Sequence, residues 1–323
     1  MNDVRLRPLG RTDLRVSPLC LGGNVFGWTA DESTSFKILD TFVAGGGNFV
    51  DTADSYSAWA EGNSGGESET VIGRWLAARG RPEGLVLATK VSGHPEFRGL
   101  SAANVHAAVD ASRARLGVEV IDLYYAHHDD PGTPLAESAR AFSELVDDGR
   151  IRYIGLSNHS PGRIREWLDI CADQGLHAPV CVQPHYNLME RGVEEDLVPL
   201  ALKRGLSLLP YYGLARGFLT GKYRRGGAEV DSPRAGAARA YLDDPRAELV
   251  LGALDAVAAR NGVSPASVAL SWLSDRPAVA SVLASARNTD QLTDLLAVNH
   301  LRLDEESAEL LSEDSGPGGA GAS

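Results

Sequence analysis

Asp51, Tyr56, Lys90 and His127 each fall at, or just after, the polar end of a short apolar run: NFVDTADSY, LVLATK and IDLYYAHHD. Gathered in one place, side chains of these types can move a proton. A phenol titrates near ~10 and donates poorly at neutral pH, but an ammonium buried beside it favours the phenolate and lowers that value. Lys90 can be that ammonium, Asp51 can hold it charged and aimed, and His127 can hydrogen-bond and orient a substrate oxygen. Together the four read as an acid for a developing alkoxide. Taken singly, each has a plainer role: Asp51 a loop cap, Lys90 a strand-end charge, Tyr56 packing. His128 competes with His127, because adjacent residues on a strand face opposite sides.

The elements that must position these residues follow from periodicity. Apolar runs alternate with helical patterns along the chain, the sign of repeated βα units and a parallel sheet. Eight runs read as strands, at residues 19–21, 48–50, 85–89, 121–126, 151–157, 180–183, 206–212 and 279–284. Helix starts are marked by Ser160-Pro161, Asp244-Pro245 and Ser264-Pro265, an N-cap followed by proline, and helix ends by Gly45 to Gly47, Gly80, Gly149, Gly175 and Gly205. Phe36, Leu39, Phe42 and Val43, and again Ala139, Phe142, Leu145 and Val146, form apolar stripes at helical spacing.

Ahead of the first unit, VRLRPLGRTDLRVS reads as a hairpin and a plug over the barrel bottom. Residues 213–243, rich in glycine, arginine and alanine, read as a long loop over the active face. SGPGGAGAS holds almost nothing apolar, so residues 315–323 are expected to be a disordered tail behind one domain spanning 1–314.

Charge and composition exclude several classes. At 323 residues the chain can hold one large domain or two small ones, the absence of an internal linker favouring one, and its net charge of −12, with signs interspersed, argues against a nucleic-acid or membrane surface. No apolar stretch reaches bilayer length and MNDVRLRPLGRTDL lacks a signal-peptide pattern, so a cytoplasmic location is expected. Cys20, Cys171 and Cys181 lie in apolar runs without a CxxC pair and read as reduced core residues. The eight histidines show no HxH or HExxH spacing, so no metal is expected, and no GxGxxG follows a strand.

The chain resembles the aldo-keto reductases over nearly its whole length. The resemblance is carried by LGRTDLRVSPLCLGG, GGNFVDTADSY, GGESETVIGRWL, VLATK, IDLYYAHHDD, GRIRYIGLSNHS, VQPHYNL and GFLTGKY. It implies an α/β fold, a single (β/α)8 TIM barrel, with NADPH or NADH as cofactor and Asp51, Tyr56, Lys90 and His127 as the catalytic tetrad. In such a barrel, chemistry sits where the strands end. Asp51, Lys90, His127, Ser157, Gln183 and Tyr211 end six successive strand candidates, which brings them to one mouth.

By the same resemblance, Ser157, Asn158 and Gln183 hold the nicotinamide carboxamide and Tyr211 stacks on the ring, while Gly23, Asn24, Val25 and Asp51 also face the cofactor. Gly213, Leu214, Arg216, Gly217 and Lys222 are expected near the pyrophosphate, and Ser285, Arg287, Asn288 and Gln291 at the adenosine half. Arg287 favours NADPH. Phe26, Trp28, Trp59, His128 and Asp130 are expected to wall the substrate. The chain departs from the family at Tyr212 and Gly213, where serine and proline are common, at Ser285 and Leu295, and at Ala126, whose smallness is expected to open space beneath the substrate.

The function expected is reduction of a small aldehyde or ketone, a sugar or aryl carbonyl among them, with Tyr56 as proton donor. The first alternative is a Schiff-base aldolase built on Lys90, which has no need of Asp51 and Tyr56 beside it. The second is a cofactor-binding regulatory subunit, as in the potassium channel β-subunits that the chain also resembles in part.

Overall fold

The computed structural model describes residues 4–316, and the strands form where the apolar runs predict them. A short hairpin, β1 (Arg7–Pro8) with β2 (Arg15–Val16), precedes eight parallel strands: β3 (Leu19–Gly22), β4 (Phe49–Asp51), β5 (Val86–Val91), β6 (Ile121–Ala126), β7 (Ile151–Ser157), β8 (Cys181–Gln183), β9 (Ser207–Leu208) and β10 (Val282–Ala284). They pair in chain order, with β10 returning to β3. The ring closes between β9 and β10 through Leu208, whose N–H donates to the Ala278 carbonyl at 2.7 Å and whose carbonyl accepts from Ala280 at 3.0 Å. The architecture is a (β/α)8 barrel, and among the described residues no helix is long and apolar enough to cross a membrane.

Both faces of each strand are covered, so side-chain parity divides two cores. Phe49, Val86, Ala88, Leu123, Tyr125 and Cys181 point into the barrel, while Val50, Leu87, Tyr124, Ala126 and Val182 meet the helices. The hairpin contributes Leu9, Leu14 and Val16 to the inner core, which makes it the plug that the sequence predicts. All three cysteines are free and buried, Cys20 and Cys181 inside the barrel and Cys171 among the helices.

The helices that matter for the site are α1 (Glu32–Ala44), α2 (Glu67–Arg79), α3 (Ala102–Leu116), α4 (Leu135–Asp147), α5 (Pro161–Gln174) and α6 (Val193–Arg204). Ser160 caps α5 as expected, its hydroxyl accepting from the Arg163 amide at 3.3 Å. Beyond β9 the chain forms α7 (Ala235–Arg239), α8 (Ala247–Asn261), α9 (Pro265–Ser274), α10 (Thr289–Leu296) and α11 (Glu305–Asp314).

Several expectations are corrected. The run at 206–212 yields only two strand residues, because Pro210 has no N–H for the ladder, and Tyr211 continues beside β8 through a single bridge to His185. Residues 213–243 are not an open loop: they contain α7 and two 3-10 turns, Ala215–Thr220 and Ala240–Asp243. Asp244-Pro245 does not open α8. Asp244 instead turns back onto the Arg246 amide at 2.8 Å, and the helix starts two residues later. The expected tail also begins too early, since Ser315 is buried and its hydroxyl accepts from Arg191 at 2.9 Å. Residues 317–323 of that tail lie outside the described residues.

Candidate active site

Inward parity at the strand ends assembles the site. On β4, β5 and β8 the residues two beyond the last inward apolar side chain are Asp51, Lys90 and Gln183, and one step past β6 the same parity gives His127. Lys90 and Asp51 are fully buried and ion-paired. Lys90 Nζ also donates to the Thr52 carbonyl at 2.7 Å and to the Tyr56 hydroxyl at 2.9 Å, and it lies 4.6 Å from the Tyr56 ring centre. The second Asp51 oxygen accepts from Gln183 Nε2 at 3.0 Å. The His127 ring stands edge-on to Tyr56, 6.0 Å between centres.

The electrostatics revise one expectation. Burial raises the Tyr56 phenol above its ordinary value and outweighs the opposing pull of Lys90, so the phenol is protonated at neutral pH. For Lys90, burial works against the charge, but Asp51 and Tyr56 together hold the ammonium above its usual range. Burial raises the Asp51 carboxyl as well, countered by Lys90 and Gln183, the two donors that its carboxylate form satisfies. His127 is pushed well below the ordinary imidazole range by burial and then by Lys90, which keeps it neutral. Its Nδ1 is buried without a partner, leaving Nε2 as the ring nitrogen for a substrate oxygen.

His127 and His128 do not point to opposite sides. The ladder ends at Ala126, the His128 N–H turns to the Ser92 hydroxyl at 3.1 Å, and the two rings stack 4.4 Å apart. Both line the cleft, a cavity of about 790 Å³. Trp28 and Trp59 form its outer wall edge to face, 5.6 Å apart, and Trp59 is 53% exposed, so this end opens to solvent. Thr29 and Ser55 also reach the cleft, neither being among the expected site residues. Ser55 carried a signal, since it lies between Asp51 and Tyr56 in the chain.

Further along the cleft the polar residues bond one another. Ser157 Oγ donates to the Gln183 carbonyl at 3.0 Å, and Asn158 Nδ2 donates to the His127 carbonyl at 2.8 Å. The Tyr211 hydroxyl donates to Asn158 Oδ1 at 2.8 Å, and one face of the Tyr211 ring is covered by His185, 5.4 Å away and nearly parallel. Gly213, Leu214, Arg216 and Gly217 form a strap along the wall, with Tyr212, Ala215 and Arg216 held at positive φ and Gly217 at 103°. Arg216 lies over the Tyr212 ring at 4.5 Å.

At the far end Lys222 and Arg287 both line the cleft, and burial first and the Arg287 charge second hold the Lys222 ammonium below its usual range. Two like charges facing one cleft favour an anion between them. Ser285 Oγ donates to Asn24 Oδ1 at 2.5 Å, and Gln291 Oε1 accepts the Arg287 amide at 3.0 Å, so both sit on the wall with one group already engaged. Val25 and Leu295 complete the lining.

Five expected positions fall elsewhere. Phe26 is fully buried among the helix-side residues and does not reach the cleft. Gly23 lies behind the wall with its N–H on the Asp51 carbonyl at 2.7 Å. Asp130 ties its own loop, accepting from Leu100, Gly132 and Thr133. Asn288 is the N-cap of α10, and Ala126 packs outward, so its size opens nothing beneath a substrate. Ser232 to Arg234 line the cleft from within the 213–243 insertion, a segment placed correctly but not resolved to residues by sequence.

The cleft runs from the Tyr56–His127 pair, past an aromatic platform, to a pair of cations, and its size suits a dinucleotide with a small substrate. The aldo/keto reductase family model matches residues 18–313. An uncharacterised oxidoreductase of Bacillus subtilis is 35% identical, covering 96% of each chain. An aryl-alcohol dehydrogenase of Pestalotiopsis microspora is 32% identical, over 93% of this chain and 77% of its own. A probable voltage-gated potassium channel subunit beta of Oryza sativa subsp. japonica is also 32% identical, over 90% of each. The chain belongs to the aldo/keto reductase family.

Proposed function

We propose that this protein reduces an aldehyde or ketone to the alcohol, with NADPH as cofactor, Tyr56 as proton donor and aryl carbonyl compounds as the preferred class. The observation that carries the reading is the Tyr56 hydroxyl, on the cleft wall and 2.9 Å from a fully buried lysine ammonium. When bound, the nicotinamide nucleotide supplies the hydride. The chain supplies the rest. His127, neutral, offers Nε2 to the carbonyl oxygen and orients it, and the Tyr56 proton passes to that oxygen as negative charge develops there. Lys90 then stabilises the phenolate left on Tyr56, and Asp51 keeps Lys90 charged throughout.

The far-end pair of Lys222 and Arg287 favours the nucleotide with the extra phosphate. Trp28, Trp59, Tyr56 and the stacked histidines offer flat apolar faces to an aromatic ring and few groups for a polyhydroxylated one. The similarity to the fungal aryl-alcohol dehydrogenase points the same way. Spectrophotometric screening of NADPH and NADH oxidation over aryl aldehydes, aliphatic aldehydes, keto sugars and quinones tests the proposal. NADPH-dependent turnover highest with aryl aldehydes is expected, and no turnover with any carbonyl overturns it.

A second reading, a nucleotide-binding regulatory subunit, rests on the similarity to the rice channel subunit. The complete set of Asp51, Tyr56, Lys90 and His127 favours turnover. Tight NADPH binding without oxidation of the nucleotide by any carbonyl supports the regulatory reading instead.

A further inference from the structure

Behind the Tyr56 segment lies a buried acid that the proton-transfer scheme does not use. Asp54 is fully buried, and no side chain hydrogen-bonds its carboxyl oxygens, although the Ser55 backbone N–H lies near enough to favour the anion slightly. The charged and titratable groups around it are Glu69 from α2, Arg115 from α3, Lys90 from β5 and Tyr124 from β6, with His94 near Glu69 and Arg115. Glu69, also fully buried, is fully engaged: one oxygen accepts from Arg115 Nε at 2.6 Å, the other from Thr89 Oγ1 at 2.5 Å. The Tyr124 hydroxyl is buried there without a partner.

Two buried carboxyl groups thus feel the charge of one guanidinium, and Arg115 makes its direct contact with Glu69 alone. Only one of them is compensated as an anion, and it is Glu69. The backbone of Asp54 meanwhile anchors the reactive segment. Its N–H donates to the Lys90 carbonyl at 3.1 Å, the Thr52 N–H donates to the Ala88 carbonyl at 2.9 Å, and the Thr52 carbonyl accepts from Lys90 Nζ at 2.7 Å. Whatever moves Asp54 therefore moves Tyr56, two residues on, and loosens the Lys90–Tyr56 contact.

We propose that Asp54 is a positioning residue that holds residues 52–56, and with them Tyr56, by remaining a neutral acid between the barrel wall and helices α2 and α3. Ionised, it sets an uncompensated anion against Glu69 and drives the segment out of register with Lys90. Burial first, and the Glu69 charge second, push this carboxyl up to about 8, so the neutral form prevails at physiological pH and is lost just above it. The role of Tyr56 in this inference rests on the proposed proton transfer, but the protonation of Asp54 does not.

The test compares wild type, Asp54→Asn and Glu69→Gln from pH 5 to 10 by three readouts: kcat and KM for carbonyl reduction, tryptophan emission, and Tm. Trp59 lies 6.2 Å from Tyr56 and reports on the segment. Wild-type kcat and emission are expected to change through a transition near pH 8, with KM little altered. Asp54→Asn, neutral at every pH, is expected to lack that transition, and Glu69→Gln to move it lower by roughly a unit or more as Asp54 gains Arg115 for itself. An acid raised on folding binds a proton in the folded state alone between 3.8 and about 8, so wild type loses stability as pH rises through that window and levels off above it. The Tm of Asp54→Asn should accordingly climb relative to wild type up to pH 8 and then run parallel. An identical alkaline transition in wild type and Asp54→Asn, or a Tm difference that ignores pH, overturns the inference. If wild type reduces no carbonyl at any pH, the functional reading fails while emission and Tm still decide this one.

Discussion

Removing Lys90 leaves Asp51 without a cation in a space that water does not reach. Lys90→Met is therefore expected to destabilise the fold by ~3–5 kcal/mol in chemical denaturation, and adding Asp51→Asn to the same chain should recover most of that loss. Equal losses in the single and double variants would mean that the lysine stem, and not the stranded charge, sets the cost. Tyr56→Phe keeps the packing and removes the proton, so kcat should fall by ~10²–10⁴-fold while NADPH still quenches protein fluorescence. At the other end of the cleft, Arg287→Ala should weaken NADPH by roughly 10–100-fold and NADH far less, read by fluorescence titration, since a charge-assisted contact is worth roughly 1.5–3 kcal/mol. The chemistry-bearing residues were legible in the sequence because each sits at the end of an apolar run. What was not legible is which way a side chain turns after the run stops. His128 stacks on His127 because the ladder has ended, and Phe26 lies in the helix-side core although its neighbours Val25 and Trp28 face the cleft. Asp54 was passed over because one acid in a polar turn looks solvated until α2 and α3 are packed against it.

Elements were legible to the extent that local chemistry governs them. Strands β5 to β7 follow their apolar runs closely, and Ser160 and Ser264 start helices as an N-cap before proline should. Asp244-Pro245 carries the same local signal, yet α8 starts two residues on, because the Asp244 carboxylate is divided between the Arg246 amide and the Arg246 side chain. No sequence pattern distinguishes that competition. Close approach between elements is likewise invisible in sequence. Gly73, in the middle of α2, has the Arg115 carbonyl of α3 only 2.1 Å from where a Cβ would stand. Alanine there gains about 1 kcal/mol of helix propensity but forces two helices apart, which costs typically ~1–3 kcal/mol and more when backbone is the obstacle. Gly73→Ala is expected to lower stability despite the better helix former. Because α2 and α3 enclose Asp54, it should also lower kcat, and a variant as stable and active as wild type would deny that the crossing is tight.

At the scale of the molecule, the amino-terminal hairpin fills the barrel from the end opposite the cleft. Leu9 is fully buried in the inner core, so Leu9→Ala should cost ~2–5 kcal/mol in denaturation while KM and nucleotide affinity stay near wild type. A changed KM would mean that the plug and the mouth are mechanically linked. The closure between β9 and β10 has a consequence of another kind. The longest connection in the barrel, from β9 through α7, α8 and α9, returns to a seam held by a few hydrogen bonds around Leu208 and by Leu283 on the Pro210 carbonyl. Closing so long a loop brings its entropic cost before the contacts that reward it, so this seam is expected to form last in folding and to open first in hydrogen exchange. Tyr211, the strap and Leu283 all line the cleft beside it, so an open seam has no nucleotide site. Bound nucleotide then acts as the rivet of the barrel, and at about a hundredfold excess over its Kd it should add ~2.7 kcal/mol to stability, with slowed amide exchange concentrated at Leu208, Ala280 and Leu283.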